Sequence, residues 1–115
     1  LIFVFGGEMD LVTKVHREHV EILVTGTIKT IANAQAIKEA IRKTHEQHPD
    51  AIINLMIKDS FIITSSVIGF LIKSIKMDKM NLQVNVGCEE LYTMLDDMNL
   101  VEIMNVRKAY TCAKV

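Results

Sequence analysis

Three hydroxyl side chains in a row, Thr64-Ser65-Ser66, interrupt an otherwise apolar stretch, KDSFIITSSVIGF, running from Lys58 to Phe70. Serine and threonine can cap a helix, attack an electrophile or accept a phosphoryl group. Nucleophilic catalysis needs a base within hydrogen-bond reach and donors for an oxyanion. No base lies near the triplet in sequence and no G-x-S-x-G turn surrounds it, so an enzyme with catalytic residues here is not expected. A phosphate-cradling G-x-x-x-x-G-K-[ST] loop is absent too, and no cofactor is predicted.

Two histidine pairs, His16-x-x-His19 and His45-x-x-His48, have ligand-like spacing. Neither has the third ligand or the acid of an HExxH site, so no metal is expected; a late histidine also suits a helix C-terminus. Cys88 and Cys112 lack CxxC spacing and read as reduced thiols of a cytoplasmic protein. With 13 basic against 14 acidic residues, the chain has no excess positive charge for phosphate neutralisation, which argues against nucleic acid and against a polybasic membrane surface. No apolar run has the length of a bilayer span, so no direct membrane insertion is expected.

The elements that must position the triplet follow from periodicity. Asp10 to Val15 alternates polar and apolar, Val20 to Thr25 is rich in β-branched residues, and the polar His16–His19 break between them predicts a hairpin ended by Gly26. From Thr30, a plausible N-cap, to about His48 the spacing of Ile31, Ala34, Ile37, Lys38 and Ile41 predicts a helix that Pro49 stops. Ala51 to Ile57 is a nearly continuous apolar run, as in a central strand covered on both faces.

After the triplet, Val67, Ile68, Leu71, Ile72 and Ile75 predict a second helix. Leu82 to Val86 predicts a strand ended by Gly87. Glu89 to about Met98 predicts a third helix with Leu91, Met94 and Leu95 inward and an acidic start suited to the helix dipole. Val101 to Val106 is a last short apolar segment, and residues 107–115 read as weakly helical or frayed. Met77, Met80, Met94, Met98 and Met104 read mainly as core gap-fillers, with a docking patch as the lesser reading.

With 115 residues, half of them hydrophobic and 23% charged, the chain suits one domain with a real core. The expected fold is α/β: a small mixed sheet of about four to five strands with packed helices, in the order β-β-α-β-α-β-α, with either β or α to follow. One domain spans residues 10–107. Residues 1–8 read as a leader or edge strand, and 108–115 as a tail or short helix.

Ile63 to Leu71 (ITSSVIGFL) resembles the "I-D-S-S-G-L-G-x-L" signature of STAS domains, the family of the anti-sigma factor antagonists. Leu82 to Val86 (LQVNV) is similar to the family's "L-x-L-V-N-V" strand. Leu91, Leu95, Asn99-Leu100 and Ile103 resemble its "V-x-x-L-x-x-x-G-L-x-x-x-F" segment, and Val20 to Thr27 (VEILVTGT) its second strand. The likeness runs from Asp10 to Arg107.

The resemblance implies a STAS-like fold and a cytoplasmic, bacterial regulatory protein of transcription that acts by binding other proteins. Its partner would be an anti-sigma factor of the serine protein kinase type, and a homodimer is compatible with it. By position in the motif Ser65 would be the phosphorylated residue, with Thr64 and Ser66 as alternatives. Thr64, Ser65, Ser66, Gly69 and Lys73 would form the partner-binding surface. A phosphate there would meet free N–H groups and the positive end of the helix dipole, and would add about two negative charges to an exposed loop. The sequence departs from the signature at Thr64, where the family has aspartate, and at Val67, where it has glycine. The resemblance therefore leaves a second outcome open: a scaffold, sensory-complex or transporter-associated domain without a phosphoswitch. A small-molecule or nucleotide binder ranks last, resting only on the helix N-terminus.

Overall fold

The computed structural model describes residues 9–110. Its elements are β1 (Asp10–Val15), β2 (His19–Thr25), α1 (Ile31–Gln47), β3 (Ile52–Ile57), α2 (Ser65–Lys76), β4 (Leu82–Val86), α3 (Glu89–Asp97) and β5 (Val106–Lys108). The five strands form one sheet in the order β1-β2-β3-β4-β5. The β1–β2 hairpin is antiparallel, with Asp10 opposite Thr25 and Val15 opposite Val20. The other three pairs are parallel. This is the expected α/β order of a small mixed sheet with packed helices, with a fifth strand at its end.

That last strand corrects the reading of the C-terminal part. Arg107 and Lys108 are not helical; they pair with Asn85 and Val86 of β4. Ala109 N–H continues the ladder to the Val86 carbonyl at 2.7 Å. A three-residue strand with two charged members has no periodicity of its own, and only the neighbouring edge makes it one. Residues 1–8 and Cys112 lie outside the described residues.

A second correction concerns β3. Each β-α-β crossover steps one place in the same direction across the sheet, and such crossovers are right-handed. All three helices therefore fall on one face. Val20, Ile22 and Val24 of β2, Ile53, Leu55 and Ile57 of β3, and Leu82, Val84 and Val86 of β4 are buried there. They meet Ala34, Ile37, Ile41, Val67, Leu71, Leu91 and Leu95 of the helices. The alternate residues, among them Leu23, Asn54, Met56, Gln83 and Asn85, are only half-buried. On that open face Gln83 Nε2 donates to Asn54 Oδ1 at 3.1 Å and Gln83 Oε1 accepts from the Arg107 guanidinium, the amide orientation being assigned by this network. The central strand is thus covered on one face, not both.

The alternation fixes the register. Burying one Ile, Leu or Val side chain is worth roughly 1.5–3 kcal/mol. A one-residue slip would turn the whole set to the open face. The methionines divide: Met80 and Met104 are buried, Met94 is half-buried against the core, and Met77 and Met98 are exposed.

Candidate functional site

The hydroxyl triplet begins α2, at the edge of the sheet where β2, β3 and β4 end. Thr64 is the N-cap. Its backbone is extended (φ −81°, ψ 152°) and its Oγ1 accepts from Val67 N–H at 3.2 Å. The cap satisfies one of the four N–H groups that every helix start leaves unpaired. Ser65 and Ser66 follow as the first two helical residues, both exposed.

The loop that carries them is built from two residues that motif reasoning missed. Asp59 Oδ1 accepts from Gly26 N–H at 2.8 Å. Gly26 has φ 90°, a conformation that side chains other than glycine rarely adopt. Ser60 is fully buried; its Oγ accepts from Ile28 N–H at 3.0 Å and donates to the Ile62 carbonyl at 2.6 Å. The β2–α1 and β3–α2 loops are thereby joined side chain to backbone. The only signal for this in the sequence is that Asp and Ser in a strand-to-helix loop tend to bond nearby backbone.

The β2–α1 loop ends in a tight cap of its own. Thr30 Oγ1 accepts from Asn33 N–H, and Asn33 Oδ1 accepts from Thr30 N–H, both at 3.0 Å. This capping box bears out Thr30 as the N-cap. It brings the start of α1 beside the start of α2. A cleft of about 130 Å³ lies between them, lined by Lys29, Ile31, Ala34, Thr64 and Ser66 among others. The Lys38 ammonium crosses from α1 and donates to Ser66 Oγ. Ile31, placed by its spacing in the buried stripe, is instead 81% exposed, because the first helical residue projects beyond the sheet edge.

The predicted site residues do not all converge. Thr64, Ser65 and Ser66 are adjacent at the helix start. Gly69 and Lys73 lie one and two turns further along, about 6 and 12 Å down the axis at 1.5 Å per residue. All but half-buried Thr64 are exposed, and Ser65, Gly69, Lys73 and Lys76 follow one another down the side of α2 that faces away from the core. Lys73 Nζ sits 3.3 Å from Asp78 Oδ2 at the far end. A Cβ added at Gly69 would meet nothing within 4 Å, so packing inside the chain does not require glycine there.

The histidine pairs are structural in placement: the His16 and His19 rings stack 4.5 Å apart at the hairpin, and His48 caps α1. Among the described residues no group of three His, Cys, Asp or Glu is placed to hold a metal ion, and no helix is long and apolar enough to cross a membrane.

No family model and no curated protein matches the chain. Among solved structures, the NMR structure of the protein TM1081 is similar, with a TM-score of 0.59 at 17% sequence identity, covering 84% of this chain and 78% of that one. At that identity the likeness establishes the fold alone.

Proposed function

We propose that this chain is a cytoplasmic regulatory domain of the anti-sigma factor antagonist type. It docks a serine-kinase-like anti-sigma partner through the β3–α2 loop and the exposed side of α2, and phosphorylation of Ser65 releases that partner. It acts by binding and not by catalysis. The observation that carries the reading is the division of labour among the three hydroxyls. Thr64 is committed to the helix cap and Ser66 to Lys38, whereas Ser65 is exposed and makes no side-chain hydrogen bond among the described residues. A phosphoryl group on Ser65 would stand at a helix start, over unpaired N–H groups, without breaking either bond. Gly69 supports the same reading: a mid-helix glycine costs roughly 0.5–1 kcal/mol against alanine, the fold does not need it, and a partner backbone pressed against α2 would.

A domain that keeps the docking surface without the switch is the second reading, favoured by Thr64 standing where the family signature has aspartate. A pull-down from the host lysate with wild type, Ser65→Ala and Ser65→Asp as parallel baits separates the two. The switch reading expects a kinase-like protein on the first two baits and its loss from the third. Identical captures on all three leave a scaffold domain.

A further inference from the structure

The charges of this nearly neutral chain are segregated. Helix α2 carries Lys73 and Lys76 and no carboxylate. Helix α3 carries Glu89, Glu90, Asp96 and Asp97 and no lysine or arginine. At the mouth of the α1–α2 cleft stand Lys29, a lining residue, and Lys38, bonded to Ser66. Of the carboxylates nearest in sequence, Glu39 pairs with Arg42 at 2.9 Å, and Asp59, which accepts from Gly26 N–H, is matched in sequence by the adjacent Lys58. Two large apolar side chains are exposed on the loops and helix starts that form this region. Ile31 lines the cleft at 81% exposure, and Phe61, three residues before the Thr64 cap, is 55% exposed.

We infer that the α1–α2 cleft is a docking surface for an acidic protein segment, which places one apolar side chain against Ile31 and Ala34 and its carboxylates against Lys29 and Lys38. The cleft's about 130 Å³ suits one side chain, not a cofactor. Charge complementarity selects the occupant. A basic segment would be repelled at this mouth and drawn to α3, whereas an acidic one is steered away from α3 and toward α1–α2. The exposed Ile31, with Ala34 behind it in the lining, supplies the apolar anchor that a charged rim alone lacks. The inference rests on the proposed docking role and names the chemistry of the partner. It also explains how a phosphate on Ser65 would act: it would offset the lysine charge that the acidic segment needs.

The test is selection of a random phage-displayed peptide library on the full chain, followed by affinity measurement with the enriched peptides. Enriched peptides rich in Asp and Glu around a Leu, Ile or Phe are expected. Ile31→Ser and Lys38→Glu should each weaken them about tenfold or more, equivalent to about 1.4 kcal/mol. Arg107→Ala, on the open sheet face, should leave them bound. Both cleft residues reach solvent, so unchanged melting temperatures confirm that these variants fold. Basic or neutral enriched peptides, or affinities indifferent to Ile31→Ser and Lys38→Glu, overturn the inference. Ser65→Asp keeps it separable from the switch. Acidic peptides that need Ile31 and Lys38 yet tolerate Ser65→Asp support the cleft and sink the switch. Peptides lost with Ser65→Asp but indifferent to the cleft variants do the reverse.

Discussion

Two strand-to-helix junctions lie side by side on one edge of the sheet and solve the same problem differently. From β4 to α3 the chain takes two residues, Gly87 and Cys88. Gly87 N–H bonds the Ile57 carbonyl at 2.8 Å, and a Cβ there would lie 2.3 Å from the Lys58 carbonyl oxygen. No side chain caps α3, but Glu89 and Glu90 stand in its first turn. From β3 to α2 the chain takes seven residues, 58–64, held by Asp59 and Ser60 and ended by a side-chain cap. The first turn of α2 has no acid. The α3 junction is therefore sterically closed and supplies its own negative charge. The α2 junction is longer, neutral and flanked by lysines, which leaves it receptive to charge from outside.

Six substitutions at five positions test that contrast. Gly87→Ala has the largest expected effect, because the clash is with backbone that cannot rotate away. A loss of about 2–3 kcal/mol in urea denaturation is expected, at the upper end for overpacking. Ser60→Ala strips a buried hydroxyl that serves two backbone partners, so a loss of about 2 kcal/mol is expected, with faster amide exchange at Ile28. Thr64→Ala should cost about 1 kcal/mol, and Thr64→Ser should restore most of it. The smallest effects carry opposite signs. Ser65→Asp adds the acid that α2 lacks and should raise stability by about 0.3–1 kcal/mol at low salt, while Glu90→Gln should lower it by a similar amount. Equal responses at the two helices would erase the electrostatic half of the comparison.

Much of this arrangement was legible because its signals are local. The hairpin, the α1 start at Thr30, the stop before Pro49 and the apolar faces of α2 and α3 each depend on residues a few positions apart. The three hydroxyls were legible as a helix start for the same reason. What the sequence hid was set at long range. The one-sided sheet follows from the shared direction of three crossovers, while Met56, apolar on the open face, makes β3 read as doubly covered. Lys38 lies 28 residues from Ser66 in sequence, and only the packing of α1 beside α2 brings them together. Ile31 keeps the helical spacing but stands past the end of the sheet, where no strand can cover it.

The strand order has a consequence for how the domain is made. Because the spatial order is the chain order, each strand after the first adds beside the one synthesised just before it. No strand waits for a partner encoded later, and none is inserted between two already paired. Growth from the ribosome, amino terminus first, can thus lengthen the sheet one β-α unit at a time. Until β5 joins, the growing edge at each stage is the next strand's own site, which shortens the interval in which it lies open to another chain.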